Sequence, residues 1–170
     1  MSINLSPIQL QEPGLVSMVQ ATLVQSGLPA QCIKLEITET AMAAEAEKAK
    51  DILQDLRDLG VNLSLDDFGT GYSSMAYLDS FPVSTLKIDR SFITEIAEDE
   101  GKKEIVRAIL QLAQGLNLEV IGEGVETSEQ KEALSSLGCN YGQGWLFGKA
   151  LPADEVPAWL QENQTGFRAK

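Results

Sequence analysis

The sequence predicts an α/β fold around a parallel sheet, and three observations carry that reading. Short β-type runs alternate with helical patterns along the whole chain, as in repeated βαβ units. The 170 residues are 44% hydrophobic and 22% charged, a composition that can bury one core. No apolar run approaches the roughly 18 residues that cross a bilayer, and the N-terminal MSINLSPIQL lacks the basic region of a signal peptide. Length refines the class. A closed (β/α) barrel takes about 250 residues, roughly 31 per unit. At that rate the chain holds about five or six units, either as a smaller open sheet or as a barrel without its first two.

Strands are expected at Ile3–Leu5, Ile33–Ile37, Val61–Leu65, Thr85–Ile88, Leu118–Ile121 and Asn140–Gln143. Between them, Glu45–Leu59 places Ala46, Ala49, Ile52, Leu53, Leu56 and Leu59 on one helical face. Lys102–Leu116 does the same with Ile105, Ala108, Ile109, Leu112 and Leu116. Thr127 and Gln130 have the spacing of a capping box, opening a helix that ends before Gly138. A last helix is expected over Asp154–Gln161, so residues 1–162 form one partial domain and 163–170 a frayed tail. Six such units leave two strand edges and an unclosed apolar interior.

Charge and missing residue types narrow the function. Lys and Arg number 13 against 25 Asp and Glu, a net charge of -12 that disfavours a nucleic-acid surface. Histidine is absent, which excludes His-based triads and nearly every catalytic zinc site. Cys32 and Cys139 have neither CxxC spacing nor disulfide-scaffold density, consistent with a reducing cytoplasm. No direct membrane insertion is expected.

Strand parity then selects polar positions. Along Val61–Asp66 the apolar side chains share one parity, so Asn62, Ser64 and Asp66 face the other way. The same alternation turns Asn4, Glu36 and Lys87 to that face, while Glu123 and Gln143 fall at the C-terminal rim where parallel α/β folds bind ligands. Carboxylates crowded into such a mouth repel one another unless a cation compensates. Oxygen donors without His or Cys suit Mg²⁺ or Mn²⁺, with Ca²⁺ an alternative. The Asp66–Asp67 pair has the chemistry to hold two ions about 3.5–4 Å apart. Gly69, Thr70, Gly71, Tyr72, Ser73 and Ser74 follow as a glycine- and hydroxyl-rich loop suited to hinge over a ligand, without the lysine of a P-loop.

Six segments together resemble the EAL-domain family, bacterial phosphodiesterases and receptors for cyclic di-GMP. They are INLSP near the start, LEITET at 35–40, LSLDDFGTGYSS at 63–74, LKIDRSFI at 86–93, IGEGVET at 121–127 and YGQGWLFGKALP at 141–152. The resemblance implies a modified TIM barrel with one antiparallel strand and metal-assisted hydrolysis of cyclic di-GMP to linear pGpG. It makes Asn4, Glu36 and Asp66 ligands of one ion, with Asp66 bridging to a second ion held by Asp67. It makes Lys87 a contact of the attacking water and Glu123 a general base or second-ion ligand. Glu126 and Gln143 become supporting groups around water and substrate, and Glu39 the anchor of the loop that contains Gly69, Thr70 and Gly71.

The sequence departs from the family pattern at three places. The Glu-Ala-Leu motif is not in these residues, Ala150 replaces a usual Pro and Trp145 a usual Tyr. Hydrolysis by these residues alone is therefore expected to be impaired. The family tendency implies a homodimer, and a sensor or diguanylate cyclase domain upstream. A non-catalytic cyclic di-GMP receptor is the competing function, although receptors tend to lose ligands in the DDFG or EGVE segments that this chain keeps. An enolising Mg²⁺ barrel with Lys87 as base is a third reading.

Overall fold

A computed structural model describes residues 1–43, 46–71 and 78–163. Its centre is a six-stranded sheet in sequence order: β1 (Ser2–Leu5), β2 (Lys34–Thr38), β3 (Asn62–Phe68), β4 (Thr85–Ile88), β5 (Glu119–Glu123) and β6 (Tyr141–Gln143). All five pairings are parallel, and β1 and β6 are the edges of a sheet that does not close. The antiparallel strand implied by the family resemblance is not among the described residues.

Connections between successive parallel strands must cross over the sheet, and helices make most of these crossings. The helices are α1 (Pro7–Leu10), α2 (Leu15–Ser26), α3 (Glu39–Ala43), α4 (Ala46–Asp58), α5 (Arg90–Ile93), α6 (Glu100–Gly115), α7 (Ser128–Ser136) and α8 (Val156–Asn163). Ala49, Leu53 and Leu56 of α4 bury the expected stripe, while the side chain of Ala46 lies outside the described residues. On α7 the capping box is in place, with Gln130 N–H donating to Thr127 Oγ1 at 3.3 Å and Thr127 N–H to Gln130 Oε1 at 3.1 Å.

Two helical expectations are corrected, and one helix is added to the reading. Asp99 caps α6 by accepting the N–H groups of Gly101 and Lys102, and the helix presents Val106, Ile109 and Ala113 to the core. Ile105, 44% exposed, and the exposed Ala108 therefore lie off the buried stripe. Helix α2, absent from the sequence reading, has apolar residues on several sides: Leu15 is buried, whereas Met18 and Val24 are 59% and 79% exposed. Helix α8 begins later and continues to Asn163, whose Nδ2 donates to Trp159 O at 2.8 Å, so this residue is helical rather than part of a frayed tail.

The sheet's two faces differ. Leu35, Ile37, Leu63, Leu65, Leu86 and Ile88 share one buried cluster with Leu53 and Leu56 of α4 and Val106 and Ile109 of α6. Paired residues of neighbouring strands share a face. Asn4, Glu36, Ser64 and Thr85 are successive partners across four strands, on the face opposite the helices. That face is polar, not the apolar interior expected. Lys34 Nζ donates to Thr85 Oγ1 at 3.0 Å and lies 4.0 Å from Glu119 Oε2, while Ser64 is fully buried between Glu36 and Thr85.

Candidate active site

Lys87 reaches the C-terminal rim from the centre of this polar face. Its Nζ lies 2.7 Å from Glu123 Oε1, 2.9 Å from Asp66 Oδ1 and 3.1 Å from Glu36 Oε2, and its side chain is 3% exposed. These carboxylates come from three other strands, so sheet register brings them to one ammonium. Burial opposes the charge of Lys87, but contacts with Glu123, Asp66 and Glu36 outweigh it and hold the ammonium above the usual lysine pKa. One ammonium cannot neutralise every carboxylate around it. Burial raises Glu123 to about 7 against the pull of Lys87, with Asp66 adding repulsion, so Glu123 takes up a proton while Lys87 remains charged.

Asp67 joins through a backbone irregularity. The β3–β4 register shifts between Leu65 and Phe68, and Asp67 adopts φ +55°. Strict alternation would send consecutive side chains to opposite faces, whereas a bulge re-aims one of them. Ligand oxygens of Asp66, Asp67 and Glu123 consequently lie within 4.8 Å of one another. The Asp67 pKa is raised by burial and by the charges of Asp66 and Asp89, with Lys87 opposing.

This donor set fits a hard divalent cation: clustered carboxylate oxygens, with the buried Asp66 Oδ1 making an ion pair but no hydrogen bond. Asn4 and Gln143 lie on the edge strands, exposed, as partners of Glu36 and Glu123 respectively. Glu126 is paired elsewhere, with Arg90 Nη2 at 2.9 Å from its Oε1.

Glu39, at the start of α3, is buried and accepts the N–H of Gly69 through Oε2 at 3.2 Å. Gly69 has φ +98°, and a side-chain carbon there would lie 2.8 Å from Phe92 Cε2. At Gly71 the corresponding carbon would lie 2.7 Å from Glu39 Oε1. Thr70 Oγ1 donates to Asp67 O at 2.9 Å, tying the loop to the bulge. Tyr72, Ser73 and Ser74 of the anticipated loop lie outside the described residues.

Sequence reasoning passed over two participants. Thr85 shares the parity of Lys87 and was open to detection by alternation; Arg90, at the start of α5, meets Glu126 in the loop between β5 and α7, a long-range contact for which no periodic signal exists.

The EAL domain family model matches residues 1–150. The chain belongs to the EAL-domain family. It is 45% identical over 157 residues to the bifunctional diguanylate cyclase/cyclic di-GMP phosphodiesterase MucR of Pseudomonas aeruginosa, covering 92% of this chain and 23% of MucR. The structure of the MucR phosphodiesterase in complex with c-di-GMP superposes with a TM-score of 0.87 at 45% identity, covering 91% of this EAL domain and 63% of that chain. The manganese and c-di-GMP complex of Klebsiella pneumoniae BlrP1 gives a TM-score of 0.82 at 33% identity, covering 87% and 38% respectively. This EAL domain spans about a fifth of the length of the curated relatives it matches.

Proposed function

We propose that this EAL domain belongs to a phosphodiesterase that hydrolyses cyclic di-GMP to linear pGpG. The observation that carries the reading is the convergence of Glu36, Asp66 and Glu123 on Lys87, with Asp67 turned into the same cluster. Asn4, Glu36, Asp66 and Asp67 are the proposed holders of two Mg²⁺ or Mn²⁺ ions. Such ions supply positive charge to the phosphoryl oxygens and acidify water, which lets an acidic protein accept a dianionic ligand.

The chain's own residues handle the proton. Glu123, with a carboxyl near neutrality, takes it from the attacking water, whose oxygen bonds to phosphorus as the bond to the 3′ oxygen breaks. The 3′ oxygen leaves protonated by solvent. Lys87 keeps its charge throughout and orients that water, and Gln143 supports it from the rim, while Glu126 is held by Arg90. Glu39 fixes the Gly69–Thr70–Gly71 segment beside the bulge, which holds Asp67 in place.

The exposed Trp145 and Leu160 support a homodimer. The free Cys32 and Cys139 support a cytoplasmic location, and the fused architecture named for MucR supports a neighbouring cyclase or sensor domain. Chromatography after incubation with cyclic di-GMP and Mn²⁺ is expected to show pGpG, formed slowly by these residues alone and faster when a Glu-Ala-Leu segment precedes them. Tight binding of the nucleotide without any product, even with that segment present, would instead identify a receptor.

A further inference from the structure

We infer that Lys87 acts as an internal competitor for the divalent ion, setting how tightly the site binds metal. The inference rests on the metal-dependent reading above and extends it to a positioning role that precedes substrate. Lys87 Nζ contacts Glu36, Asp66 and Glu123 within 3.1 Å, and Asp66 and Glu123 also belong to the cluster with Asp67. The ammonium thus occupies the charge environment an incoming ion requires. Like charges at this separation do not share carboxylates without loss, because their repulsion in a buried site is only weakly screened. Metal binding therefore displaces part of the Lys87 contact set.

The alternative role, preorganising the carboxylates for the ion, falls to the sheet instead. Glu36 and Glu123 stand on β2 and β5, Asp66 on β3 is tied to the Glu39-anchored loop through its neighbour Asp67, and strand register fixes all of them independently of Lys87. What the lysine adds is charge. It offsets the repulsion among the carboxylates before metal arrives and prevents them from retaining a cation too strongly.

The test is Mn²⁺ binding to the full chain by calorimetry without nucleotide. Lys87→Met is expected to bind Mn²⁺ at least tenfold more tightly than the parent, and to show the larger Mn²⁺-induced rise in melting temperature. Lys87→Arg, which keeps the charge, is expected to stay within threefold of the parent. If Lys87→Met does not fold, the comparison moves to Glu36→Gln against Glu36→Gln/Lys87→Met, where one charge of each sign is removed and the same tightening is expected. Equal or weaker Mn²⁺ binding in the variant without the ammonium, while the parent binds, overturns the competition and leaves the metal-dependent function standing. Absence of Mn²⁺ binding in parent and variants overturns both.

Discussion

Asp66 and Asp67 are sequence neighbours whose carboxylates join the same cluster, because the strand carrying them bulges between Leu65 and Phe68 and Asp67 takes φ +55°. Burial disfavours the charge of Asp67, and repulsion from the adjacent Asp66 adds to the cost, which together raise the Asp67 pKa. A fold retains such a pair when something else balances it. Lys87 balances part; the proposed ions balance the rest.

Asp67 accordingly separates backbone from chemistry. Asn tolerates the left-handed region and Ala does not, at a cost of roughly 1–2 kcal/mol. Asp67→Asn is expected to fold with near-parental stability yet lose more than 100-fold in Mn²⁺-dependent turnover. Asp67→Ala should lose the same activity and also melt at lower temperature. Equal melting temperatures for the two variants would show that the backbone conformation costs nothing here.

A hard ion that binds only the folded state stabilises it by mass action, about 2.7 kcal/mol when its concentration is 100 times the dissociation constant. Mg²⁺ or Mn²⁺ should therefore raise the melting temperature by several degrees, and Asp66→Asn should abolish the rise. Thermal denaturation with and without chelator checks this, and a melting curve indifferent to millimolar Mn²⁺ counts against the proposed site.

Much of the site was legible because strands have a period of two. Leu63 and Leu65 point to the helices, so Ser64 and Asp66 point away, and the same alternation places Glu36 and Lys87 on the polar face. The continuation of that polarity through Lys34, Asn62 and Thr85 was equally open to parity, and it explains why an apolar interior was the wrong expectation. Asp67 was legible as half of an acidic pair, but not as a residue turned to the same face as Asp66. A bulge breaks alternation without leaving a periodic trace, and only the following Gly69 hints at an irregular backbone. Helix α2 escaped because a stripe is recognised by contrast, and a segment with Met18 and Val24 on its solvent side offers little. The buried stripe of α6 is turned by about one residue, from Ile105, Ala108 and Leu112 to Val106, Ile109 and Ala113, which spacing alone does not separate because both stripes have the helical period.

Gly69 has two separable reasons to be glycine: its φ of +98° and the 2.8 Å approach to Phe92. Gly69→Ala is expected to destabilise the protein by about 1–3 kcal/mol through backbone strain and to lower turnover by loosening the Glu39–Gly69 tie. Shortening the clashing ring relieves only the contact. The double variant Gly69→Ala/Phe92→Leu should therefore recover less than the whole loss relative to Phe92→Leu, read by denaturant midpoint. Full recovery would assign the entire effect to the ring.

Glu123 predicts a stability slope and an activity slope of opposite sign. Its folded pKa of about 7 lies above the ordinary 4.5, so between those values the folded protein binds more protons than the unfolded chain, and stability falls as pH rises. Each pH unit of that displacement carries at most about 1.4 kcal/mol, because solvent screening at the partly exposed rim reduces it. Lys87 adds no slope in this window, because its raised pKa gives a contribution that persists until above the ordinary 10.5. The raised Asp67 adds a smaller fall of the same sign nearer its ordinary 3.8. Denaturant unfolding from pH 5 to 8 in chelator should therefore show declining stability, and Glu123→Gln should remove most of the decline. Turnover runs the other way, because Glu123 must be ionised to accept a proton from water. It should rise with pH, and because bound cations favour the ionised carboxylate, its inflection with Mn²⁺ should lie below the metal-free value near 7. Glu123→Gln should be slow and lose this acid limb. An acid limb unchanged in that variant would assign the limiting proton to another group of the cluster, with Asp67 the next to examine.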